Sequence, residues 1–125
     1  MRFIILFLFS NILFSQTQIE LNFKAKEKYE LINKELNTLN NKLLILYKNE
    51  IEKKSEIIIN HKNWLKKRDS FMNNKYPQNQ RKDYGTYFPV RWYNELIILT
   101  DNRIKHLKLK YDTNTLNIVD FCNYP

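Results

Sequence analysis

From Ile19 to Met72 the chain contains neither proline nor glycine, so no residue in that stretch is of the kind that breaks a helix. Within it Tyr29, Ile32, Leu36, Leu39, Leu43 and Leu46 recur at intervals of three and four. That spacing lines them up along one helical face, a stripe that needs burial. A single helix over the whole stretch would reach about 80 Å at 1.5 Å per residue, too long for a small domain to cover. A break is therefore expected, and Lys48-Asn49 is the best position for it. Asn49 can cap a second helix, Glu52 stands three residues later as in a capping box, and Glu50 suits the positive helix end. Asn40-Asn41 is the alternative. The second helix is then expected from Glu50 to Asn73, with Ile57, His61, Trp64, Arg68 and Phe71 or Met72 on its stripe.

From Asn73 to Pro89 the periodicity fails. Pro77, Gly85 and Pro89, with several Asn, Gln and Tyr residues, mark a long irregular connection. Pro89 suits the first turn of a third helix, along which Tyr93, Ile97, Thr100, Ile104, Leu107 and Tyr111 are again spaced by fours and threes. The fold class expected is all-α: a small antiparallel bundle of three helices, or four if the first stretch breaks twice, with a long loop before the last helix. Residues 112–125 carry little helical signal, although Leu116, Ile118, Val119 and Phe121 could lay a short extended piece on the bundle.

The N-terminus has a different character. Met1-Arg2 precedes an apolar run from Phe3 to Phe14 interrupted only by Ser10 and Asn11, and a polar stretch follows Ser15. This is the layout of a signal peptide with cleavage after Ser15, and the run is shorter than the roughly 18 apolar residues of a membrane span. The expected organisation is a signal peptide at 1–15, one helical domain at 16–111 and a C-terminal tail at 112–125. The expected location is periplasmic or secreted, with no stable membrane span after cleavage. Loss of Arg2 takes the formal net charge from +8 to +7, which favours acidic partners, although acids are interspersed among most of the lysines. Nucleic acid is a poor candidate, because an exported protein seldom meets it and no nucleic-acid-binding signature interrupts the helical pattern. The single cysteine, Cys122, cannot form an internal disulfide, so the fold must rest on packing.

Catalytic chemistry finds few candidates. The only histidines, His61 and His106, fall on different helices and in no metal-ligand spacing, and His61 shares the stripe of Trp64. One glycine cannot build a phosphate-cradling loop. Cys122 has no plausible base beside it, and Glu50, Glu52 and Glu56 read as helix-start charges. No enzyme activity, metal or cofactor is expected. A binding function is better supplied, because the connection carries Tyr76, Tyr84, Tyr87 and Phe88, Trp92 follows within one turn of the next helix, and Arg81 and Arg91 lie nearby. Aromatics with arginines are the residues that dominate interfaces, and Tyr84, Tyr87, Phe88, Arg91 and Trp92 are the candidate partner-binding set. The competing reading is that they cap the open end of the core.

Four strings carry a further signal: Lys34-Glu35-Leu36-Asn37, then Trp64-Leu65-Lys66-Lys67-Arg68-Asp69, then Tyr84-Gly85-Thr86 with Pro89, and Leu99-Thr100-Asp101-Asn102-Arg103-Ile104 with Leu107. In this order and spacing the chain resembles the lysozyme inhibitor LprI N-terminal-domain family over residues 22 to 110. The resemblance implies a small exported bacterial helical domain without catalytic activity, with a protein partner such as lysozyme whose cleft it would occlude. It also implies scaffold roles for Leu36, Asn37, Trp64, Arg68, Asp69, Gly85, Pro89, Thr100 and Arg103. Arg68 lies one turn beyond Trp64, where its stem can cover the indole, and Asp69 could pair with Arg103 to fix the register of the last two helices. Many members carry two cysteines near positions that here are Met72 and Glu95; His61 stands for the family's usual glutamine and Asn40 for a tyrosine. Two readings from other classes stay open. One is a cationic envelope module that binds acidic surface polymers or lipid headgroups through Lys105, Lys108 and Lys110; the other is a structural envelope subunit.

Overall fold

The apolar stripe at intervals of three and four forms the inner face of the first helix, α1 (Arg2–Leu46). In the computed structural model of the chain, residues 2–111 are described, with side chains from Thr17 onward. The backbone of the expected signal segment is helical from Arg2 and continuous with α1, while Cys122 and the rest of the tail lie outside the described residues. Leu36 and Leu43 are fully buried and Leu39 nearly so, with Ile32 and Leu46 packed against them. Burying one such leucine is worth about 1.5–3 kcal/mol.

α1 turns at Tyr47–Asn49 into α2 (Ile51–Lys75). The break falls at the expected position, and Asn40-Asn41 does not interrupt the helix. The capping mechanism differs from expectation. Glu50, not Asn49, is the residue before the helix, and it makes no side-chain cap. The turn is instead closed by backbone bonds, with the Lys48 amide donating to Ile45 O and the Glu50 amide to Tyr47 O. Along α2, Ile57 and Met72 are buried, whereas Phe71 is 43% exposed, so Met72 completes the stripe.

The connection to the last helix is not irregular. Residues Gln78–Tyr87 wind into a 3₁₀ segment that starts after Pro77 and bends at Gly85. Gly85 has φ 63° and ψ −152°, a region essentially reserved for glycine. α3 (Phe88–Lys110) then begins with Pro89 in its first turn and buries Val90, Leu96, Thr100, Ile104 and Leu107.

The three helices alternate in direction, which leaves α1 and α3 parallel and in extensive contact. Their register is constant. Asn22 donates to Thr86 O, and the rings of Tyr29 and Tyr93 and of Tyr47 and Tyr111 meet at a tilt, each pair 64 residues apart. The core divides in two. One cluster joins Leu36, Leu39, Leu43, Ile57, Ile104, Leu107 and Tyr111. The other gathers Met72, Tyr76 and Leu96 with partly buried aromatics at the opposite end of the bundle.

Candidate functional site

The second cluster is built around Tyr76, the residue that ends α2 and is only 7% exposed. Its ring meets Tyr84 edge-on at 5.4 Å, Phe88 edge-on at 5.7 Å and Trp92 at 6.1 Å. Phe88 and Trp92, four residues apart on α3, face each other at 5.7 Å, and Tyr84 lies 6.0 Å from Phe88. Edge-on and tilted pairs at these separations are the favourable aromatic geometries.

Arg81 of the 3₁₀ segment locks the pile. Its Nε donates to Tyr76 O and a terminal nitrogen to Asn73 Oδ1, both at 3.0 Å. The guanidinium lies 4.6 Å from the centroid of Trp92 and 5.8 Å from that of Phe88. Arg91 stands on the solvent side, 5.7 Å from the ring of Tyr84 and 5.9 Å from that of Tyr87. Tyr87 is 45% exposed. The five candidate residues therefore share one end of the bundle in two layers: Tyr84, Phe88 and Trp92 join the core, and Tyr87 with Arg91 faces solvent. Thr86 and Phe88, on either side of Tyr87 in the chain, also line an open groove of about 750 Å³ shared with Gln18, Ile19 and Asn22 of α1.

Midway along the bundle, Trp64 is flanked by two arginines. The guanidinium of Arg68 lies 5.4 Å from its ring centroid and that of Arg103 5.8 Å. His61 stacks beside the indole at 6.4 Å. Burial, followed by the charges of Arg103 and Arg68, pushes the His61 pKa below its ordinary value. Asp69 binds Arg68, at 2.8 Å, instead of Arg103. The expected bridge between helices is therefore not made, because Arg68 reaches back to its neighbour while Arg103 is drawn onto the indole. Arg68 also donates weakly to the Tyr29 hydroxyl, at 3.4 Å, which ties α2 to α1.

The family model described as lysozyme inhibitor LprI matches residues 14–107. The chain belongs to the LprI family. No curated protein and no solved structure matches it significantly. In LprI terms, the residues Trp64, Arg68 and Arg103 form one physical unit, and Thr100 is fully buried one turn before Arg103. Leu36 belongs to the core, while Asn37 is exposed. Where many LprI members place cysteines, this chain joins α2 to α3 without covalent bonds. Met72 fills the second cluster at 1% exposure, and Lys75 Nζ binds the Glu95 carboxylate at 2.7 Å. That bond raises the Lys75 pKa.

Lys105, Lys108 and Lys110, the expected cationic face, are engaged with Asp101, Glu35 and Glu56 respectively. The hydrogen bond from Lys110 holds the Glu56 carboxyl below its usual range. Such exposed pairs contribute little stability, but they offset charge that an acidic polymer would need. Among the described residues no helix is long and apolar enough to cross a membrane, and no group of His, Cys, Asp or Glu is placed to hold a metal.

Tyr76 and Arg81, the hub and clamp of the aromatic end, stand outside the candidate set read from the sequence. A usable signal was present in Tyr76-Pro77, since proline disfavours the helical region for the residue before it and so ends α2 at this aromatic.

Proposed function

We propose that this LprI-family protein is an exported, non-enzymatic inhibitor that binds lysozyme and occludes its cleft with the aromatic end of the bundle. Tyr87 and Arg91 make the contact, and Tyr84, Phe88 and Trp92 support them. The observation that carries the reading is the two-layer construction: an exposed tyrosine and arginine stand on rings clamped to the core by Arg81. A contact surface fixed before the partner arrives loses little conformational freedom on binding, and tyrosine and arginine are enriched among the residues that dominate interfaces. The neighbouring groove, with Ile19 65% exposed at its edge, supplies apolar area for the partner to cover. Export is supported by the apolar run Phe3–Phe14 behind Arg2, with cleavage after Ser15.

The reading is tested by following the lysis of cell-wall suspensions by turbidity, using several lysozyme types with equimolar and excess purified protein. Lysis that slows in proportion to inhibitor until stoichiometry is reached is the expected result. Rates unchanged across every lysozyme type would remove the proposal.

A further inference from the structure

A second recess lies between α2 and α3, toward the end of the bundle opposite Tyr87. We propose that it is a binding site for a single carboxylated sugar unit. Its volume is about 260 Å³, just below the 300–1,000 Å³ range of pockets for drug-sized ligands, so one ring suits it better than a polymer strand. Two matched runs build it. Asn60, Asn63 and Lys67 follow one another at intervals of three and four along α2, and Arg103, His106 and Lys110 do the same along α3. The spacing brings six polar side chains to one cleft.

The chemistry of the lining is selective. Ile57, Leu107 and Tyr111 supply apolar surface of the kind the C–H face of a pyranose covers. No carboxylate lines the recess. Lys110 and the Asn60 amide are both held by Glu56, but among the described residues neither Lys67 nor Arg103 has an acidic partner. The Arg103 Nε is buried without a hydrogen-bond partner, and the guanidinium is held in place over Trp64. Arg103 and Lys67 both line the recess, where their N–H groups can donate charge-assisted hydrogen bonds to a carboxylate. The two carboxamides decide between anions. Phosphate at neutral pH offers mainly acceptors, so it uses the N–H side of a carboxamide and leaves the amide oxygens of Asn60 and Asn63 without a donor. Sugar hydroxyls both donate and accept, as carboxamides do. A ligand carrying hydroxyls and one carboxylate satisfies both halves of the recess.

The test is a titration of the purified protein with D-glucuronate, read from the Trp64 indole N–H and the Asn60 and Asn63 side-chain amides by NMR. D-Glucose, acetate and inorganic phosphate are the comparison ligands. Saturable shifts at those groups with a Kd on the order of 1 mM are expected, with each comparison ligand at least about tenfold weaker. Lys67→Gln, an exposed substitution that leaves folding intact, and Arg103→Gln should each weaken glucuronate binding by about tenfold, one lost charge-assisted contact. Phosphate binding as tightly as glucuronate would reduce the site to a cationic patch, and equal binding of glucose or an absence of shifts would also overturn the proposal. Tyr87→Ala should bind glucuronate normally, so failure here and failure of the lysozyme reading are distinguishable.

Discussion

Phe88 and Tyr87 are adjacent in sequence and differ in what their removal should do. The Phe88 ring makes three aromatic contacts, with Tyr76, Tyr84 and Trp92, and lies under the Arg81 guanidinium. Complete burial would place Phe→Ala at about 3–5 kcal/mol. Phe88 is only partly buried, and roughly 2–3 kcal/mol is expected. Tyr87 is 45% exposed, and its aromatic contact is with Arg91. An exposed cation–π contact is worth about 0.5–1 kcal/mol, which sets the ceiling for Tyr87→Ala. For a domain of this size 1 kcal/mol moves the Tm by about 4–8 °C. Phe88→Ala should therefore melt roughly 8–24 °C below the wild type, and Tyr87→Ala no more than about 8 °C below it. Urea unfolding followed by tryptophan fluorescence checks the same ordering, with the midpoint shifting at constant slope. A loss for Tyr87→Ala equal to or larger than that for Phe88→Ala would refute the two-layer arrangement.

Three other perturbations follow from the fold. Gly85→Ala meets no atom within 4 Å but forces an L-residue into a glycine-only conformation, so a loss of about 1–3 kcal/mol is expected; an unchanged urea midpoint would show that the bend can relax. Thr100 is fully buried and its hydroxyl has no partner, so Thr100→Val should be neutral or stabilising by up to about 1 kcal/mol, and a clear destabilisation would mean that the hydroxyl is satisfied in solution. His61 has a folded pKa below its ordinary 6.5 through burial and then the charges of Arg103 and Arg68. As pH falls past 6.5 the unfolded chain takes up the proton first, so stability present above that value is lost as pH descends toward the lowered folded pKa. His61→Gln should remove this part of the slope as pH falls below 6.5, and identical slopes for variant and wild type would count against it.

The stripe from Tyr29 to Leu46 was legible because burial enforces helical periodicity, and the stop near Lys48 because an uninterrupted helix would outrun its partners. How the turn is made was not legible. Backbone bonds from Lys48 and Glu50 close it, and they depend on no side-chain identity. The 3₁₀ segment was read as irregular because it buries no residue and so leaves no apolar period; only Pro77 and Gly85 mark its ends. The pairing of Asp69 with Arg103 failed for another reason. Opposite charges in sequence say nothing about competitors, and here Arg68 lay closer to Asp69 while Trp64 took Arg103. The division of the aromatic end between core and surface required the folded geometry, because Tyr87 and Phe88 carry the same composition signal.

The central claim is that Tyr87 and Arg91 recognise lysozyme while the rings beneath them hold the fold. Isothermal titration of lysozyme with the wild type and with the double variant Tyr87→Ala, Arg91→Ala tests it most directly, because both positions are exposed. Saturable one-to-one binding by the wild type is expected, with at least about a thirtyfold loss in the variant, equivalent to about 2 kcal/mol for a dominant contact pair, and a nearly unchanged melting temperature. Equal affinities for wild type and the folded variant would contradict it.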